Sequence, residues 1–238
     1  MNGIFVTGTG TEVGKTVVAA AIARTLAAKG KRVAVFKPAV TGLEELPADG
    51  TQSRDIDRFQ SRQSGDVADH ALLRRAAGSE QSGDEIAPYR YGPAASPHLA
   101  AALAGEAIDP GRLLDTARTA AERADILVCE GVGGLLVPLS GDYLVRDLAA
   151  ELALPLVIAA PPGLGTINHT LLTIEAARAA GLEVVAVVLT PWPSEPSWIE
   201  QSNRETIQAL GTVTVETLPP LDLGAPETWP SMGPFTHL

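Results

Sequence analysis

The sequence predicts an α/β protein with a doubly wound, mostly parallel sheet and helices on both faces. Three observations carry this expectation. Short apolar runs alternate with helically spaced, Ala-rich stretches along most of the chain, the pattern of strand-helix-strand crossovers. The run 126–130 is apolar almost without interruption, as a strand covered on both faces must be. A glycine-rich loop, Thr7-Gly8-Thr9-Gly10-Thr11-Glu12-Val13-Gly14-Lys15-Thr16, joins the first strand to the first helix.

Taken in order, strand 3–7 is short and buried, and helix 15–29 ends at Gly30, which readily adopts the left-handed conformation of a helix stop. Strand 32–37 closes at Pro38. The stretch 43–65 is polar and broken by Pro47, Asp49-Gly50 and serine-rich turns, so a long mobile loop is expected. Helical spacing returns over 66–77, where Val67, Ala71, Leu72 and Ala76 share a face and Gly78 stops the helix. After an extended segment 87–93, Ser96-Pro97 opens a helix to 104 and Asp109-Pro110 opens another to 123. Strand 126–130 is followed by a glycine-rich loop 131–142, helix 144–152, strand 155–160, helix 167–180, strand 183–189, helix 198–210 and strand 213–218. The segment 219–238, with Pro, Gly and little periodicity, is expected to wrap the surface without a catalytic role, its first residues placed to line a base pocket.

The length of 238 residues suits a single domain over 1–238, and no shift in composition marks a boundary. Lys and Arg number 18 against 28 Asp and Glu, a net charge of -10 with no basic run, which argues against nucleic-acid and membrane surfaces alike. No apolar run approaches the ~20 residues of a membrane span, and the first residues lack the pattern of a secretion signal. The single Cys129 sits in an apolar strand, where burial and inertness are expected, and fits a reducing compartment. A soluble, cytoplasmic protein is the expectation.

Ligands of doubly wound sheets bind at the carboxyl ends of strands, and four such ends carry chemistry here. The glycine-rich loop reads as a phosphate-binding loop and makes the fold one of the P-loop NTPase type. Backbone N–H groups and a helix N-terminus converge on phosphate, Lys15 reaches the β and γ phosphates, and the Thr16 hydroxyl suits Mg²⁺. Five residues separate Gly8 from Gly14, one more than the usual G-x-x-x-x-G-K-[ST] spacing allows. At the second strand end, Lys37-Pro38-Ala39-Val40-Thr41-Gly42 puts a lysine on the same edge as Lys15. It either compensates charge on a transferring phosphoryl group or anionic substrate, or is a solvated strand end. The third, Glu130-Gly131-Val132-Gly133-Gly134, offers a carboxylate for Mg²⁺, or a turn cap, with glycines that admit close approach of substrate. The fourth, Gly163-Leu164-Gly165-Thr166-Ile167-Asn168-His169, opens a helix whose N–H groups suit a carboxylate, while His169 is expected to be a hydrogen-bonded structural residue.

Together these segments resemble the dethiobiotin synthetases over residues 3–189. In that family the phosphate loop reads GTxTxVGKT, the second strand ends in Lys-Pro followed by a hydroxyl and Gly, a further strand ends in EGAGG, and a segment similar to LGxINH opens a later helix. This chain has Val132 at the family's alanine, and Ser96-Pro97-His98 matches a further family segment. The resemblance implies an ATP- and Mg²⁺-dependent ring closure in which the two neighbouring amines of 7,8-diaminononanoate are joined through CO₂, or bicarbonate as its source, into the cyclic urea of dethiobiotin. It implies catalytic roles for Lys15, Lys37 and Thr11, and nucleotide contacts from Gly10, Thr11, Glu12, Val13, Gly14, Lys15, Thr16, Val17 and Thr190. Thr41, Glu12, Gly131, Gly133 and the helix start Gly165, Thr166, Ile167 and Asn168 would face the substrate. Thr16, Glu130 and Asp69 would hold the metal; Asp66 and Asp55 stay open as alternatives to Asp69 because of the insertion 43–65. A homodimer with the substrate site at its interface is also implied. Some members end the strand matching 183–189 with an Asn that reads adenine; Thr190-Pro191-Trp192 stands here instead, so weak base discrimination is expected, with CTP or another triphosphate substituting for ATP.

Two other readings share the sheet. A nucleotide-switched ATPase of the partitioning or septum-positioning type would carry a lysine near the start of the loop, where this chain has Thr7, Gly8 and Thr9. An amide-forming synthase of cobalamin synthesis would bring a glutaminase domain with a catalytic cysteine, for which the chain has neither room nor residue.

Overall fold

The computed structural model describes residues 1–43 and 69–235. The expected loop 43–65, Asp55, Asp66 and the start of helix 66–77 lie outside the described residues, except for Leu43. The strands are β1 (Gly3–Gly8), β2 (Val33–Phe36), β3 (Ile126–Gly134), β4 (Pro138–Ser140), β5 (Tyr143–Leu144), β6 (Leu156–Ala160), β7 (Val184–Leu189) and β8 (Thr214–Thr217). The helices are α1 (Lys15–Ala28), α2 (Asp69–Ala77), α3 (Gly83–Ile86), α4 (Pro97–Leu103), α5 (Pro110–Glu122), α6 (Val145–Leu152), α7 (Thr166–Ala179) and α8 (Trp198–Gly211). The main sheet runs β2-β3-β1-β6-β7-β8 with every pairing parallel, and β4 and β5 form a separate antiparallel hairpin. Strand order reverses at β1, which places the loop after β1 at the switch point where such sheets bind ligands.

Alternation along the strands divides the core into two faces. Ile4, Val6, Val128, Val157 and Ala159 pack with the alanines and Ile22 of the run Ala19–Ala23 on α1 and with Leu72 and Leu73 on α2. Phe5, Leu127 and Cys129 face the other way, onto Leu113 and Ala117 of α5 and Leu148 and Ala149 of α6. Farther along that face, Ile158, Val187 and Val215 meet Ile174 of α7 and Ile207 of α8. Cys129 is fully buried, and burial pushes its thiol well above the ordinary value, consistent with an inert packing residue.

Three features of the fold depart from the sequence expectation. β3 does not stop at Glu130 but continues to Gly134, which pairs with Gly8, so the expected loop 131–142 is a strand end followed by the β4–β5 hairpin. The glycine at 131 is a packing requirement, since a Cβ there would lie 2.9 Å from Val145 Cγ1 and 3.0 Å from Phe5 Cε1. α3 is an additional helical turn, closed by a capping box in which Ser82 and Glu85 satisfy each other's backbone N–H. Gln81 lies against the outer edge of β2: its Oε1 accepts from Val35 N at 2.8 Å and its Nε2 donates to Val35 O at 3.1 Å. At the opposite edge Arg204 Nε donates to Val215 O at 3.4 Å.

The last departure concerns the tail. Expected as a surface wrap, it inserts Trp229, Met232 and Phe235 into the core against α1 and α2. Met232 N donates to Thr25 Oγ1 at 3.0 Å, Arg24 Nε donates to Pro226 O at 3.3 Å, and the Arg75 guanidinium donates to the Leu223 carbonyl. These three apolar side chains recur every third residue and turn one way onto the helices, which offsets the loss of chain entropy in an otherwise irregular segment. Among the described residues, no helix is long and apolar enough to cross a membrane.

Candidate active site

The phosphate loop leaves β1 and turns into α1 through Gly14, whose φ of 87° is left-handed. Glu12 also has positive φ, at 59°, and with Thr11 it forms the exposed crest of the loop. Gly10 is half-buried, and Val13 and Val17 pack against the core face of α1. Gly14 has a second reason to be glycine, since a Cβ there would sit 2.5 Å from Thr190 Cγ2. Thr190, just past β7, is buried and donates its N–H to Ala160 O at 3.0 Å, so its side chain rests on the loop where α1 begins. Thr9 N is fixed to Ala159 O at 3.1 Å. Lys15 is buried and donates from Nζ to Gly10 O at 2.6 Å; burial pushes its ammonium below the ordinary lysine value against the opposing charge of Glu130.

Beside the loop lies an ionic cluster assembled from three elements. Lys37 follows β2, Glu130 lies within β3 next to it, and Asp69 opens α2, which packs on α1. Lys37 Nζ stands 2.7 Å from Asp69 Oδ2 and 2.6 Å from Glu130 Oε1. The same Oε1 accepts the Thr16 hydroxyl at 2.8 Å. The Lys37 and Glu130 side chains are 5% and 0% exposed. Burial penalises the Lys37 charge, yet Glu130 and Asp69 outweigh that penalty and hold the ammonium above its ordinary value. Burial likewise pushes Asp69 up, and Lys37 more than reverses it, so Asp69 ends below the usual carboxylate range. Lys37 is therefore not a solvated strand end but an ion-paired one, held between Asp69 and Glu130, with Thr16 on the same Glu130 oxygen.

These residues fit a hard cation. Glu130 Oε2 is buried with no hydrogen-bond partner while Oε1 has two, and Asp69 and Thr16 complete an all-oxygen donor set of the kind Mg²⁺ takes.

The other residues singled out by sequence lie around this centre. Thr41 is partly exposed just past the bridge between Val40 and Arg90. Gly133, with φ 63°, would bring a Cβ within 2.8 Å of Val137 Cγ2, so the fold itself requires glycine there. Gly165 caps α7 with φ 89°; Thr166 is buried with its Oγ1 3.4 Å from Thr170 Oγ1, Ile167 is half-buried, and Asn168 is exposed. A helix start of this kind leaves its first N–H groups without intrahelical partners. His169 departs from expectation: it is exposed on the outer side of α7, and its imidazole makes no hydrogen bond among the described residues. The contact of Thr190 with Gly14 was not visible in sequence, because residues 176 positions apart share no pattern.

Comparison with known proteins agrees with this geometry. A family model described as an AAA domain matches residues 2–227. An ATP-dependent dethiobiotin synthetase of Rhodococcus erythropolis is 39% identical over 233 residues, covering 94% of this chain and 91% of that one. That of Bacillus subtilis strain 168 is 33% identical over 215 residues, covering 90% and 85%. Among solved structures, the MinC:MinD cell division complex of Aquifex aeolicus matches with a TM-score of 0.55 at 15% identity, covering 99% of this chain and 85% of that one, a likeness of fold alone. With a phosphate loop, a Lys-Glu-Asp cluster beside it and similarity to these synthetases over nine-tenths or more of its length, the chain belongs to the dethiobiotin synthetase family.

Proposed function

We propose that the protein is an ATP- and Mg²⁺-dependent dethiobiotin synthetase that closes the ureido ring of dethiobiotin from 7,8-diaminononanoate and CO₂. The observation that carries this reading is the placement of Lys37, Glu130, Asp69 and Thr16 as one cluster within electrostatic reach of Lys15. One amine adds to CO₂ and loses a proton, giving a carbamate. A carbamate oxygen then attacks the γ-phosphorus as its bond to the bridging oxygen breaks, so ADP leaves and a carbamic-phosphoric anhydride forms. The second amine attacks the carbamoyl carbon, phosphate departs, and a second proton is lost as the ring closes.

Negative charge accumulates at every step, and positioned cations are the main means of catalysing such transfers. Lys15 serves the β and γ phosphates, exchanging its bond to Gly10 O for phosphate oxygens. Lys37 serves the carbamate and the transferring phosphoryl group, and Thr11 the loop crest over them. Gly10 to Val17 and Thr190 form the nucleotide side. Thr41, Glu12, Gly131 and Gly133 line the diamine side, and within the helix start Gly165 to Asn168 the N–H groups of Ile167 and Asn168 are offered to its carboxylate, Thr166 N being held by Gly163 O. Thr16, Asp69 and Glu130 would hold Mg²⁺, which when bound would neutralise phosphate charge.

The site is read as completed by a second copy of the chain. Leu164, 98% exposed beside the start of α7, and Leu172 on α7, more than half exposed, support a homodimer interface there. The buried, short Thr190 supports weak base discrimination, with CTP accepted beside ATP; a clear ATP preference in direct competition would remove that point. The single cysteine and the charge of -10 support a cytoplasmic protein without nucleic-acid or membrane partners.

The test is phosphate release from Mg-ATP and bicarbonate with and without 7,8-diaminononanoate, followed by mass analysis of the product. Release that requires the diamine and yields the cyclic urea is the expected result. Release that ignores the diamine would replace this reading with that of a switch ATPase.

A further inference from the structure

The Lys37 ammonium joins the two carboxylates assigned above to the metal, at 2.7 Å from Asp69 Oδ2 and 2.6 Å from Glu130 Oε1. It therefore stands where a divalent ion would have to approach. Hard cations take carboxylate oxygens at about 2.0–2.6 Å, so an ion bound to both residues would lie within a few ångströms of a buried ammonium with little water to screen the repulsion. Glu130 Oε1 accepts from both Lys37 and Thr16, so an ion that takes this oxygen displaces one of the two donors.

We propose that Lys37 is the built-in occupant of the cation site: its ammonium and the divalent cation hold Asp69 and Glu130 in mutual exclusion, and arrival of the metal releases Lys37 toward the transferring phosphoryl group. The proposal rests on the assignment of Thr16, Asp69 and Glu130 to the metal. It gives the buried Glu130 a counter-charge in both states, which a carboxylate with 0% exposure requires. It also makes the phosphoryl-facing lysine available only once the metal is in place, so that loading and arming of the site are one event.

The probe is Mn²⁺ without nucleotide, its binding followed by electron paramagnetic resonance. Lys37→Met removes the competing charge and is expected to tighten Mn²⁺ binding about tenfold or more, whereas Lys37→Arg keeps the charge and is expected to bind as weakly as the parent. A second readout needs no variant. Amine-directed labelling of Lys37, read by peptide mass, is expected to rise severalfold when the parent protein is saturated with Mn²⁺, because its side chain is 5% exposed while it bridges the carboxylates. Mn²⁺ binding by Lys37→Met that is unchanged, weaker or absent overturns the exclusion, as does labelling that does not respond to bound Mn²⁺. Glu130→Gln or Asp69→Asn in the Lys37→Met background separates the two assignments. Loss of Mn²⁺ binding there supports the metal site, and retained binding shows that the metal lies elsewhere, which overturns the proposal at its foundation.

Discussion

Thr25→Val probes the attachment of the C-terminal segment with nearly no change in shape. The Thr25 hydroxyl is 1% exposed, donates to Ala21 O at 2.8 Å and accepts from Met232 N at 3.0 Å. Valine fills the same volume, and helix propensities of the two residues are close. Ala21 O keeps its backbone bond within α1, so little is lost there. Met232 N, by contrast, faces a methyl group in a dry environment, and an unsatisfied buried donor costs about 1–3 kcal/mol. For a chain of this size each kcal/mol moves the melting point by about 2–4 °C. The assay is urea unfolding followed by circular dichroism, with hydrogen exchange read over 226–235 and over α1. Tail amides should exchange faster while the interior of α1 keeps its relative protection. A Thr25→Val protein as stable as the parent or more so would refute the reasoning, since removing a buried hydroxyl that anchors nothing is neutral or favourable.

Three further outcomes follow from the site and the surface. Gly14→Ala imposes positive φ on an alanine and drives its Cβ onto Thr190 Cγ2, so stability should fall by about 1–3 kcal/mol and ATP binding should weaken; adding Thr190→Ser, which removes that methyl, should recover part of both in thermal and nucleotide titrations. Lys15→Ala should reduce steady-state phosphate release by about 10²–10³-fold or more, the effect of removing one positioned charge-stabilising donor. Asp125 is held down to about 2 by its hydrogen bonds from Arg32 and by that residue's charge. A carboxylate depressed in this way contributes stability above its unfolded pKa of about 4 and loses it as pH falls toward 2. Asp125→Asn should flatten that part of the pH dependence in urea midpoints, modestly, because the pair is exposed.

How legible the chain was depends on whether the signal was local. The order of strands and helices was, because each apolar run and each cap speaks for its own segment, as Ser96-Pro97 and Asp109-Pro110 do for α4 and α5. The end of β3 was not, since Gly131, Gly133 and Gly134 read as chain breakers. Gly131 is glycine because Phe5 and Val145 crowd it, and Gly133 because its φ is left-handed and Val137 lies against it. The capping box of α3 was present as Ser82 and Glu85, but its helix is a single turn without periodicity. The tail looked like a wrap because Pro and Gly mask the three-residue spacing of Trp229, Met232 and Phe235. In the site, the phosphate loop was local and plain. The engagement of Lys37 was not, because it depends on α2 returning Asp69 to the edge that β2 and β3 share.

The side chains laid along the rims of the sheet bear on how the protein behaves in company. In a parallel strand the N–H and C=O of one residue point together to the same side, and at the outer side of β2 those of Val35 are both taken by the Gln81 amide, with Lys37 N bound to Ile86 O at 2.8 Å beyond it. A glutamine side chain thus plays the part of a seventh strand one residue long. On the far rim, Arg204 over Val215 O sets a charged group where a foreign strand would dock. Each rim is thus blocked at one point, more firmly at β2 than at β8, where a foreign strand would otherwise add to the sheet. Gln81→Ala would reopen one rim and leave the active-site cluster in place, making self-association rather than lost turnover its first consequence.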